Sequence, residues 1–94
     1  MLDRRFYDQL MAVMTVWGFF DPDTRKIRRC EAEMGVLASE IRGVSYYELS
    51  GDEIFVVVVD TYAINRQGYF VNGDPYAYLV VDEQTYDLAL ELCA

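Results

Sequence analysis

The hydrophobic pattern of this chain changes period along its length. Leu2, Phe6, Leu10, Val13 and Trp17 recur at helical spacing. With Asp3 as N-cap, Leu2 and Tyr7 able to staple the first turn and Gly18 just past the end, this spacing predicts a helix over 3–17. Asp21-Pro22 then offers a cap and a first-turn proline, and Ile27, Cys30, Met34, Leu37 and Ile41 form a 3-4-3-4 stripe, predicting a second helix over 22–42. Gly35 would sit inside that helix at a cost of about 1 kcal/mol relative to Ala. The segment FFDPDTRKI, within residues 19–29, would also make an acceptable hairpin.

Beyond Gly43 the period becomes two. Val44 to Ser50 and Glu53 to Asp60 read as a hairpin. A Gly51-Asp52 type II′ turn is preferred over Ser50-Gly51, because the latter would set Glu48 directly opposite Glu53. The stretch GDEIFVVVVD is apolar on both faces, since Ile54, Val56 and Val58 point one way while Phe55, Val57 and Val59 point the other. The first set, joined by Tyr47 and Leu49, is expected beneath the helices. The second set, joined by Val44 and Tyr46, is expected to need cover from elsewhere.

Thr61 to Gly68 is read as continued strand or turn, reversing at Asn65-Arg66-Gln67-Gly68. Asn72-Gly73 then joins Tyr69-Phe70-Val71 to Tyr76 through Val81 in a second hairpin, placing Tyr69 opposite Tyr76, with Tyr78 on the same face. Pro75 lacks an N–H, which suits a sheet edge or a strand start. A last helix begins at Asp82, where Asp82, Glu83 and Asp87 complement the helix dipole and Tyr86, Ala89, Leu90 and Cys93 form a stripe. The expected fold is therefore a single α+β domain over 1–94. It has two N-terminal helices, a four-stranded, mainly antiparallel sheet of two hairpins, and a C-terminal helix, in the order ααββββα.

Charge sharpens this picture. The net charge is −8. Residues 1–43 carry seven acids and seven basic side chains, whereas 44–94 carry nine acids against the single Arg66. Such a half repels phosphate, which argues against direct nucleic-acid or anionic-membrane binding and for a basic partner. The run Arg25, Lys26, Arg28, Arg29 is offset by Glu31 and Glu33 and reads as a self-neutralising helix face. The apolar run Ile54 to Val59 is far short of the roughly 20 residues of a membrane span, and charges at Asp3, Arg4, Arg5 and Asp8 interrupt any leader-like start, so a soluble cytoplasmic protein is expected.

Catalytic chemistry has little to work with. The chain has no histidine, and its two cysteines, Cys30 and Cys93, fall on apolar stripes as buried reduced thiols without a CxxC pair. Asp21-Pro22-Asp23-Thr24 lacks the later ligands and glycine of a calcium loop. No cofactor or metal is implied. Eight tyrosines, six of them in the sheet region, stand near acids, a combination suited to an interface.

The expected function is thus a non-enzymatic protein-binding module acting through Tyr46, Glu48, Asp52, Glu53, Tyr69, Asp74, Tyr76 and Tyr78. The most specific form of that reading is an inhibitor that mimics nucleic-acid charge against a basic partner, of the anti-restriction or anti-CRISPR type that phages and mobile elements use; it rests on analogy of class. The alternatives are a homodimer that covers the second face of the central strand, and a small-ligand or enzyme site built from Asp or Glu and Tyr.

Overall fold

A computed structural model of the chain describes residues 15–29, 40–66 and 73–93. At Asp21 the chain reverses because the Asp21 carboxylate accepts the backbone N–H groups of Asp23 (2.9 Å) and Thr24 (3.3 Å), and the Asp21 carbonyl accepts the Arg25 N–H (2.7 Å). Arg25 completes the turn with φ +59°, a left-handed conformation usually given to glycine at this place in a hairpin. Strand β1, Val16–Asp21, thereby folds back onto β2, Lys26–Arg29, pairing Phe20 with Ile27 and Asp21 with Lys26.

This hairpin corrects the expectation of two N-terminal helices. Val16 and Trp17 open a strand, 22–25 is a turn and Ile41 begins the next strand. Residues 1–14 and 30–39, on which the rest of those helices would fall, lie outside the described residues. The carboxylate that would cap a helix at Asp21 caps a turn instead, and the decisive gain is tertiary. As strand residues Val16 and Phe20 become almost completely buried, at 5% and 3% exposure, one on each side of the sheet. Trp17 falls at a bulge between Val16 and Gly18 and is 59% exposed, so the stripe that placed it in a helix core does not hold.

Strands β3, Ile41–Leu49, and β4, Asp52–Asp60, form the second hairpin. Its turn is Ser50-Gly51, with φ +52° and +84°, the paired positive values of a type I′ turn. The preferred Gly51-Asp52 turn is therefore corrected, and Glu48 does lie directly opposite Glu53. From Val44 to Leu49 each β3 residue meets a partner two positions away from the expected one, an even shift that leaves these side chains on their expected faces.

A short helix α1, Thr61–Arg66, follows β4 where strand or turn was expected, and it buries Ala63 and Ile64. Strand β5, Tyr76–Val81, starts directly after Pro75, as the missing N–H favours. Helix α2, Glu83–Cys93, begins where the sequence puts it, with the Asp82 carboxylate accepting the Thr85 N–H at 2.7 Å. It faces inward through Thr85 and Ala89, with Tyr86, Leu88 and Leu92 partly buried, while Leu90 and Cys93 are exposed.

The sheet has five strands in the order β2-β1-β5-β4-β3, all antiparallel. β5 is central, held between β1 and β4, which the two-hairpin arrangement had not anticipated. The hairpin expected to join Tyr69-Phe70-Val71 to Tyr76 involves residues outside those described.

Helix α2 covers the face bearing Phe55, Val57 and Val59, together with Leu79, Val81 and Val16. The expectation that the helices cover Ile54, Val56 and Val58 is thus reversed. On that second face Phe20, Val56 and Val80 form a separate cluster, packed by Tyr47, Leu49, Ile54, Val58 and Tyr78. Two strands separate β1 from β3, a span of roughly 14 Å in a flat sheet. Yet the rings of Phe20 on β1 and Tyr47 on β3 have centroids 4.4 Å apart. The Arg25 guanidinium likewise crosses to β3, donating to the Glu48 carbonyl at 3.1 Å and lying over the Tyr47 ring at 5.8 Å. The sheet is therefore curled enough for side chains of β1 and of the β1/β2 turn to reach β3, with no ladder joining them among the described strands. Val56 on the concave side and Val57 on the helix side are both 0% exposed.

Candidate functional site

Because both faces of β4 are covered, the surface left for function lies at turns and edges. The β3/β4 hairpin end carries Glu48, Glu53 and, beside the turn, Asp52. Glu48 and Glu53 share the helix side of the sheet, directly across from one another, where like charges are mildly destabilising. Glu53 accepts a hydrogen bond from the Tyr46 hydroxyl at 3.2 Å. Tyr46 meets Phe55 edge-on at 5.9 Å, and Phe55 meets Tyr86 of α2 at 5.0 Å. This stack anchors the Tyr46 hydroxyl, and through it Glu53, to the helix-packed core. Partial desolvation, followed by the hydrogen bond to Glu53, holds the Tyr46 phenol above its ordinary value, so it remains a neutral donor.

Arg42 and Arg66 pair with other acids, while Arg25 reaches Glu48 only through its backbone carbonyl. Arg42 contacts Asp60 through Nη2 at 2.7 Å and Nε at 2.9 Å, which lowers the Asp60 carboxyl below its usual range. Arg66 contacts Glu40 at 2.9 Å and lies over Tyr62 at 5.8 Å. Among the described residues, Glu48, Asp52 and Glu53 take part in no ion pair. Helix α2 adds the exposed Glu83 and Asp87 on the same side of the sheet as Glu48 and Glu53.

A second locus surrounds the start of β5. The β1/β5 ladder ends at Phe19 opposite Leu79, although β1 continues to Asp21 and β5 begins at Tyr76. Where the strands part, a cleft of about 690 Å³ opens, lined by Phe20, Ile27, Lys26, Asp74, Tyr76 and Tyr78 among others. This volume is within the range of small-molecule pockets. Tyr76 is 47% exposed there, beside Asp60 across the β4/β5 ladder.

Compared with protein-family models, curated proteins and solved structures, the chain matches none.

The site expected from the sequence as one surface is therefore two. Tyr46, Glu48, Asp52 and Glu53 come together at the hairpin end, while Asp74, Tyr76 and Tyr78 line the cleft. Tyr69 lies outside the described residues. Along β4, Glu53 and Asp60, the partners of Glu48 and Tyr76, are seven residues apart, roughly 23 Å of strand. The sequence reading missed Phe20 and Lys26 as neighbours of the cleft and Arg25 and Phe20 as contacts of β3. Their signal was present in FFDPDTRKI, where Asp-Pro-Asp-Thr can close a hairpin between two β-prone flanks. Lys26, Arg28 and Arg29 occupy the exposed strand β2, with Arg28 over the Phe19 ring at 5.0 Å, so the self-neutralising helix face expected for the basic run is replaced by a basic sheet edge.

Among the described residues no three acidic or cysteine side chains are grouped as metal ligands. Cys93, expected to be buried, is exposed at the end of α2, and residual desolvation raises its thiol above the ordinary value. Cys30 lies outside the described residues. Among the described residues no helix is long and apolar enough to cross a membrane.

Proposed function

We propose that the protein is a non-enzymatic binding module that presents the carboxylates of the β3/β4 hairpin end to a basic protein. The observation that supports this reading is the Glu48 and Glu53 pair, whose carboxylates join no ion pair among the described residues and which is braced through Tyr46 onto the core, while Asp60 and Glu40 pair with arginines. A like-charge pair in register loses stability in the free protein and gains it back when a cation inserts between the two carboxylates. The partner best matched to such a surface is a protein that ordinarily binds phosphates, which makes inhibition by charge mimicry the specific form of the proposal. A homodimer built face to face on β4 loses its original motive, since both faces of that strand are already buried within one chain.

The test is the salt dependence of binding to a nucleic-acid-binding protein with an arginine-lined groove, measured by calorimetry from about 50 to 500 mM salt. Affinity should fall steeply with salt and be lost in competition with duplex DNA for the same partner. Binding that is indifferent to ionic strength and additive with DNA removes the mimicry reading.

A further inference from the structure

The geometry points to a flap: the β1/β2 hairpin is a hinged element held shut against β3 by the Arg25 side chain. Up to Phe19 the hairpin is fixed to the sheet through β5; past Phe19 it has no ladder to any described strand outside the hairpin. Among the described elements β2 packs substantially on β1 alone, all four of its residues are exposed, and the β1/β5 ladder stops at Phe19. Beyond that point β1 and β5 run on without a ladder between them, and the cleft of about 690 Å³ opens there. A bulge between Val16 and Gly18 bends β1 just before the ladder's end.

What spans the open side is one cluster. Arg25 Nη2 donates to the Glu48 carbonyl, its guanidinium lies over Tyr47, and Phe20 packs on the same ring. Glu48 sits on β3, an edge strand whose outward backbone groups have no strand partner among the described elements, so the arginine also occupies an exposed edge acceptor. Arg25 holds a left-handed backbone that any side chain larger than hydrogen disfavours. A glycine would suit the turn better, so the arginine is there at a local cost that its contact with β3 offsets. Releasing it would expose Phe20, Val80 and Val56, the buried residues of the concave cluster.

Two substitutions separate the side chain's role from the backbone's. Arg25→Ala removes the latch and keeps the strained conformation, whereas Arg25→Gly removes the latch and relieves the strain. Amide hydrogen exchange is read at residues 20–29 and, as an internal reference, at residues 54–59 of β4, with fluorescence of 1-anilinonaphthalene-8-sulfonate as a probe of apolar exposure. A latched flap predicts exchange over 20–29 about tenfold faster in Arg25→Ala, a smaller increase in Arg25→Gly, an unchanged β4 and raised dye fluorescence in both. If Arg25→Ala matches the parent and Arg25→Gly exchanges more slowly, Arg25 has only a backbone role and the flap is refuted. Equal acceleration over 20–29 and β4 refutes it too, because the hairpin would then open only with the whole fold.

Discussion

Phe20 and Tyr47 stack with centroids 4.4 Å apart and planes tilted by 48°, although β5 and β4 lie between their strands. This contact bridges the concave side of the sheet, where Phe20 and Val56 are buried. Phe20→Ala should therefore destabilise by about 3–5 kcal/mol, as for other buried aromatics. Tyr47→Phe, which keeps the ring, should cost far less. Urea denaturation of both variants checks the difference.

Gly18 has a different kind of necessity. A Cβ built on it would lie 2.5 Å from the Arg28 carbonyl oxygen, a backbone atom that can yield only if β2 moves. Gly18→Ala should cost about 1–3 kcal/mol. In a domain of this size that is a fall in Tm of roughly 4–8 °C per kcal/mol, readable by calorimetry.

Asp82 closes the first turn of α2 through the Thr85 N–H. Asp82→Ala should lose about 1 kcal/mol, and Asp82→Asn only part of that, since the amide oxygen still accepts. Thermal unfolding followed by far-ultraviolet circular dichroism distinguishes the two.

Acid should weaken the β3/β4 pairing at Asp60 in a defined direction. The hydrogen bond from Arg42 lowers the Asp60 carboxyl from its ordinary 3.8, so the folded state binds a proton less readily than the unfolded chain. Its contribution is fully present above 3.8 and is lost as pH falls through the lower folded value. The stability gap between the parent and Asp60→Asn should therefore be constant from pH 7 to about pH 5 and close below about pH 4. Asp21, lowered by the Asp23 N–H and then the Thr24 N–H, should leave Asp60→Asn with a residual acid slope of the same sign.

How much of this was legible in the sequence depended on which residues decided each element. The cap and periodicity of α2 are local, and so is the alternation that sets the faces of β3 and β4; both are visible in the chain. The β3/β4 turn was misjudged because repulsion between Glu48 and Glu53 was given too much weight. That repulsion acts in water, where exposed charges interact weakly, and both the type II′ and the type I′ turn match strand twist, so turn geometry did not oppose Ser50-Gly51. At Asp21-Pro22, capping chemistry is common to helix starts and tight turns, so only the burial of Val16 and Phe20 decides between them. Which face of β4 lies under α2 depends on Phe55 meeting Tyr86, a contact between residues 31 positions apart that no periodicity encodes.

The placement of the candidate residues was only partly legible. Tyr46, Glu48, Asp52 and Glu53 are close in sequence and stay together at one hairpin. Asp74, Tyr76 and Tyr78 were assigned to the same surface through their composition, and strand order places them elsewhere, because β5 meets β4 near Asp60.

The most direct test of the binding account is charge reversal at equal net charge. Glu48→Lys with Glu53→Lys should weaken affinity for an arginine-rich nucleic-acid-binding partner at least tenfold at about 100 mM salt. Asp23→Lys with Asp74→Lys, which changes the net charge equally at positions beside the cleft, should weaken it no more than about threefold. Equal losses from the two pairs, or none from either, would contradict the assignment of the partner surface to the Glu48 and Glu53 hairpin.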